Sequence, residues 1–248
     1  MTSPNLSRVT RCPVLFDEDG VLAIDKTEGV LSHPNPGKAK GAPAVTAFEG
    51  SYDFESRSFT TPGGRIWLIH RLDQDTSGVL LGARSQAMGS KLRKLFEEER
   101  LKKIYLALVC GRVAPAKGYW TDVVASRKEG SMVRSRILTQ GKPNARLRYR
   151  VKGSSPKYAV SLLEIELVSG KTHQVRVQAA WRQHPVAGDD VYGHFTRNRE
   201  LRKTLNLRRL FLHASLLEFR HPATNKFLHI ESPLPEKLQA VLRTLRAG

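Results

Sequence analysis

The sequence predicts an α+β fold, a mixed, largely antiparallel central sheet with flanking helices and a cleft. Three observations carry that expectation. Apolar runs rich in Val, Ile and Leu and bounded by Gly, Pro or charged residues outnumber segments with helical spacing. Several of these runs follow one another with too little chain between them for a crossover helix. Only two segments, around residues 85–96 and 232–245, repeat apolar residues at the three-to-four spacing of a helix.

In chain order, "VLAID" (21–25), "RIWLIH" (65–70), "GVLLGA" (78–83) and "KKIYLALVCG" (102–111) read as strands. Between the last two, Met88, Leu92, Leu95 and Phe96 mark a helix with Ser85 placed as its cap. "ARLRYRV" (145–151), "YAVSLLEIELV" (158–168), "RLFLHASLLEF" (209–219) and "KFLHIES" (226–232) continue the strands. Leu234, Leu238, Val241, Leu242 and Leu245 form a closing helix opened by Ser232 and Pro233. Residues 31–64, rich in Gly, Pro and Ser, read as a mobile insertion. Two basic stretches, 126–153 and 197–209, are punctuated by apolar residues and read as strands or a helix with one charged exposed face.

Hydrophobic content of 40% and charged content of 26% are those of an ordinary globular chain, long enough at 248 residues to bury a full core. The balance of charge is unusual: 41 Lys and Arg against 23 Asp and Glu give a net +18, which points to a polyanionic partner. No apolar run is long enough to span a bilayer, and the N-terminus has no signal-peptide core. Two cysteines, Cys12 and Cys110, make neither a disulfide framework nor a zinc site by themselves. A cytoplasmic protein is expected, without membrane partner, and a monomer because no exposed apolar stripe stands out.

The segment "LIHRLDQDTSGVLLGARS" (68–85) places a polar cluster between two apolar runs. Asp73, Asp75, Ser77 and Gly78 imitate the opening of a calcium loop, but the position needing a bidentate Glu is Arg84, and calcium is rejected. A plain hairpin corner is the next reading, since Asp and Thr favour turns for local hydrogen-bonding reasons. The full run His-Arg-Leu-Asp-x-x-Thr-Ser-Gly goes further, and resembles the signature of the RluA-type family of RNA pseudouridine synthases. "VLFDEDGVLAIDKTEGVLSHP", "KKIYLALVCG", "LVSGKTHQVRVQ", "HPVAGDDVYG" and "RLFLHASLLEFRHPATNKFLHIESPLP" are similar to further family segments, in the family's order.

The resemblance implies the pseudouridine synthase fold, with one catalytic domain over 14–248 after an N-terminal extension of 1–13. It implies isomerisation of specific uridines in structured ribosomal or transfer RNA, without cofactor or metal. Asp73 would be the catalytic carboxylate acting on the ribose of a flipped-out uridine, since a carboxylate serves as nucleophile or base. Arg176 would pair with it, and Tyr105 would stack on the target base with its hydroxyl near the C5 proton. Arg71 would fill the gap the uridine leaves in the RNA; Thr76, Lys171, His173 and Gln174 would contact RNA. His70 reads as a satisfied strand-end histidine.

The sequence departs from the family pattern at Lys171, where Arg is usual, at Gln178, where His is common, and at Thr27, where Pro usually follows the lysine. Many relatives also carry a small N-terminal RNA-binding module, and only a dozen residues precede the match here. Targeting is therefore expected from the catalytic domain, through the two basic stretches. Two rival readings remain, a non-catalytic basic RNA-binding or ribosome-assembly factor and a metal-dependent hydrolase using His70 and Asp73.

Overall fold

The computed structural model describes residues 9–35, 45–129 and 132–247. It divides into two compact units, one of residues 1–102 and 216–232, the other of 103–215 and 233–248. The described residues form thirteen strands and four helices, and the strand pairings within each unit are antiparallel. This is the α+β arrangement expected.

The first unit opens with β1 (Val14–Glu18) and β2 (Val21–Lys26), joined at Asp19-Gly20. Both turn residues have positive φ, 51° and 83°, the conformation of a two-residue hairpin whose twist matches its strands. β3 (Ser51–Asp53), β4 (Ser58–Thr61), β5 (Gly64–Leu68) and β6 (Ser77–Ala83) follow, and β6 pairs with both β2 and β5. All seven residues of β6 are buried, which explains its unbroken apolar reading. Helix α1 (Gln86–Glu97) begins at Ser85, whose hydroxyl accepts the Met88 N–H, and lays Met88, Leu92 and Leu95 on a core of Val21, Ala23, Val79 and Leu81.

β3 and β4 lie inside the stretch read as an insertion. They form because Phe48 and Phe59 are fully buried and pack ring to ring, while the Leu31 N–H donates to the Val45 carbonyl and the Leu31 carbonyl accepts the Ala47 N–H. Residues 36–44 of that stretch lie outside the described residues. The end of the N-terminal extension is tied to the same segment through Val9 and Thr10.

In the second unit β7 (Lys102–Cys110), β8 (Lys117–Glu129), β9 (Met132–Leu138), β10 (Ala145–Ser155) and β11 (Val160–Leu167) pair in the order β7-β11-β10-β8-β9. Alternate residues of β7 serve two cores. Ala107 and Val109 join Leu147, Ile165, Val175 and Ala179 beneath α2 (Gln174–Trp181). Leu108 and Cys110 join Leu201, Leu205 and Phe211 beneath α3 (Phe195–Leu205). The chain returns to the first unit within β12 (Leu212–Arg220), which pairs there with β13 (Phe227–Glu231). It ends in α4 (Glu236–Ala247), whose Leu238 and Val241 complete the α3 core.

Both basic stretches take the forms expected. Residues 126–153 are mainly strands β8 to β10 and 197–209 mainly α3. Their cations are employed differently. In α3, Arg197 is held by Glu200 and the Tyr158 carbonyl. Beyond Asp122, β8 leaves β10 and runs with β9 as a two-stranded ribbon, where register sets Arg127 opposite Arg134 and Arg136 on the same face. Arg127 thus stands directly across the ladder from Arg134, a like-charge pairing that does not by itself stabilise the ribbon.

Candidate functional site

In the first unit, the signature run leaves β5 and re-enters the sheet at β6, so its polar residues form a loop between two buried strands. The loop is gripped on both sides of Asp73. Ser32 Oγ donates to the Leu72 carbonyl at 2.8 Å and accepts the Leu72 N–H at 2.9 Å. Gln74 exchanges bonds with Gly29, and its carbonyl accepts the Lys26 ammonium at 3.0 Å. The Thr76 N–H closes the turn onto the Asp73 carbonyl at 3.1 Å. Asp73 itself is half-buried, while Arg71 and Asp75 are exposed.

Lys26 is the unexpected member of this group. Its side chain is fully buried, and Nζ donates to the carbonyls of Thr27 (2.9 Å), Val30 (2.8 Å) and Gln74. An ammonium has three N–H bonds, and here each meets a backbone oxygen, which offsets the desolvation of a buried charge. It welds the end of β2 to the Asp73 loop. Lys26→Met should therefore remove three hydrogen bonds to these carbonyls, lowering stability by on the order of 3 kcal/mol and turnover more than RNA affinity. Urea unfolding with parallel activity and binding assays would check this; unchanged stability would show that the loop is held otherwise.

His70 has the structural role expected for a strand-end histidine. Nε2 accepts the Leu81 N–H at 3.1 Å and the ring stacks on Phe96 at 4.8 Å. Thr76 is only 2% exposed, and its hydroxyl has no partner among the described residues.

In the second unit, Arg176 lies in the first turns of α2 and is 4% exposed. Its Nε and Nη2 donate to the two carboxylate oxygens of Asp189 at 2.7 and 2.8 Å, and its guanidinium lies over the Tyr192 ring at 5.3 Å. Asp189 also accepts the N–H groups of Val191 and Tyr192. Burial pushes the Asp189 carboxyl up, but the Arg176 hydrogen bonds and charge, with those two amides, outweigh it and hold the group below the usual carboxylate range. Asp189 stands in "HPVAGDDVYG", and nothing local separates it from the exposed Asp190.

His173 caps α2 in a left-handed conformation (φ 54°), which turns its ring to bond the Tyr192 hydroxyl at 2.8 Å; that hydroxyl also accepts the Ser135 N–H. Lys171 is exposed. Gln174, expected as an RNA contact, is 2% exposed, and its amide bonds Ser169, the Lys171 N–H and the Arg146 carbonyl, so it braces the start of α2 from inside. Thr76, expected in the same role, is buried as well. Gln178, one of the departures, is fully buried and donates to Asp122, which also takes a bidentate bond from Arg182. Tyr105 sits half-buried on the α2-facing side of β7, against the core that includes Val175.

The family model for RNA pseudouridylate synthase matches residues 20–181, which include the signature loop, Tyr105 and the start of α2. The chain belongs to this family. The synthase is 33% identical to ribosomal large subunit pseudouridine synthase C of Escherichia coli (strain K12), over 98% of its own length and 74% of the relative's. It is 38% identical to an RNA pseudouridine synthase of Chloroflexus aurantiacus, over 90% and 66% of the two chains. The structure of human RNA pseudouridylate synthase domain containing 4 shares its fold, with a TM-score of 0.68 at 23% identity over 94% of the synthase and 93% of that chain. The activity of the family is the isomerisation of uridine to pseudouridine in RNA. Among the described residues, no group of three His, Cys, Asp or Glu could hold a metal ion, and no helix is long and apolar enough to cross a membrane.

Proposed function

We propose that the synthase converts uridines of large-subunit ribosomal RNA to pseudouridine, with Asp73 acting on the ribose of an extruded nucleotide. The substrate follows the relatives named for the ribosomal large subunit, and the net charge of +18 suits so dense a polyanion. The observation that carries the assignment of Asp73 is its double clamp: main-chain bonds from Ser32 and Lys26 grip the residues on either side, leaving the carboxylate on a rigid, half-buried loop. The reaction breaks C1′–N1, turns the uracil and forms C1′–C5, with a proton lost from C5 and one gained at N1. It is redox-neutral. Arg176 and Tyr105 keep the roles the motif match assigns them, and Arg71, Lys171 and His173 remain the proposed RNA contacts. A cytoplasmic location is part of the same proposal.

Carbodiimide mapping of large-subunit ribosomal RNA, transcribed in vitro and treated with the synthase, tests the reading. New stops at defined uridines are expected, and an unmodified transcript would remove ribosomal RNA as substrate. Tyr105→Phe keeps the ring and removes the hydroxyl. It should preserve RNA affinity while slowing single-turnover isomerisation by about 10²-fold, the usual range for loss of a positioned proton-transfer group. An equal loss of affinity would instead assign Tyr105 to binding alone.

A further inference from the structure

Residues 31–35 and 45–64 take no part in the bond changes at Asp73, yet they carry an ordered array of rings. Phe48 and Phe59 are buried at its base, 5.5 Å apart. Tyr52 packs on Phe59 at 4.7 Å, His33 stacks on Tyr52 at 5.3 Å with planes 14° apart, and Phe54 meets Tyr52 edge-on at 5.0 Å. The array thus runs from core to solvent, and its outer ring, Phe54, is 50% exposed. A core needs no such open end.

The surroundings are cationic. Arg57 and Arg71 stand close enough that the charges of both act on His33 and on Tyr52. Among the described residues no ion pair engages Arg57 or Arg71, and Asp53, between Tyr52 and Phe54, is paired with Arg65. Burial, with those two charges, lowers the His33 pKa below its ordinary value, so the ring is neutral near pH 7 and stacks as an aromatic. Ser32 fixes the location. Its reciprocal bonds with Leu72 set His33 beside Arg71, two residues from Asp73.

We infer that His33, Tyr52 and Phe54, rimmed by Arg57 and Arg71, form a stacking site for an unpaired nucleotide of the RNA close to the target uridine. The inference rests on the RNA substrate proposed above. Flat rings receive a base whatever its identity, and unpaired guanidiniums beside them receive its phosphate, the combination by which single strands are held. The same positive rim rejects a cationic ligand such as a methylated lysine, and a duplex offers no free base face.

The test uses fluorescence anisotropy with a labelled dodecamer of uridylate and a labelled RNA duplex of equal length. Phe54→Ala and His33→Ala should each weaken the single strand by about 5- to 100-fold and leave the duplex within about 2-fold, and Phe54→Trp should restore or tighten binding. Phe54 is half-exposed, so its replacement should not unfold the chain; matched thermal melts would verify this. Unchanged affinity for the single strand, equal losses on both RNAs, or failure of Trp to rescue would each overturn the inference. If the parent makes no pseudouridine on ribosomal RNA but binds uridylate through Phe54, the proposed substrate fails and the stacking site stands. If it modifies ribosomal RNA while binding is indifferent to Phe54, the stacking site fails alone.

Discussion

Asp73→Asn is expected to lower pseudouridine formation by at least about 10³-fold while leaving RNA affinity within about 2-fold of the parent. The amide matches the carboxylate in size but carries no negative charge, so it can neither attack a ribose carbon nor take a proton from one. The clamps on the loop grip main-chain atoms of Leu72 and Gln74, so its path should survive the substitution. Single-turnover carbodiimide mapping beside filter binding would measure both quantities. A variant that isomerises as fast as the parent would remove Asp73 from the chemistry. Identical maps lacking any new stop, with RNA still bound, would favour the rival reading of a non-catalytic RNA-binding factor.

The second large effect concerns the buried pair of Arg176 and Asp189. Asp189→Ala removes the bidentate carboxylate from a guanidinium that is 4% exposed and deprives the Val191 and Tyr192 amides of their acceptor. Removing one partner of a buried pair typically destabilises by about 3–5 kcal/mol, much more than the pair contributes relative to an apolar replacement. Urea unfolding at neutral pH should show that loss, and a change under about 1 kcal/mol would mean water or another group replaces the carboxylate. The pH dependence has a definite sign. Because the folded Asp189 carboxyl lies below its ordinary value, its contribution is present above the unfolded carboxylate value and lost as pH falls through the folded one. Asp189→Asn should flatten that acid limb of the stability curve.

The elements legible in the sequence were those whose burial is one-sided or complete along their length. α1 announced itself through Met88, Leu92 and Leu95 and the cap at Ser85, and β2, β6 and β7 through unbroken apolar runs. β1, β3 and β4 went unassigned because they are short, the first part of β8 because its apolar residues are diluted by charge, and β9 was left between strand and helix because it is largely exposed and basic. α2 was hidden for another reason. Val175 and Val177 alternate like a strand, yet six of its eight residues are buried, so no polar face marks the helical period.

Residue order alone determined the family, the identity of the candidate carboxylate and the sign of the partner's charge, because reactive groups and turn residues must stand at fixed spacing along one loop. Tertiary structure alone decided that Lys26 is a buried clamp, that Asp189 and not Asp190 holds Arg176, that Gln174 faces inward, and that His33 meets Tyr52. Those four outcomes depend on which polar groups lose water. Desolvation is set by neighbours far away in the chain, such as Gln74 for Lys26 and Arg146 for Gln174, and local sequence does not encode it.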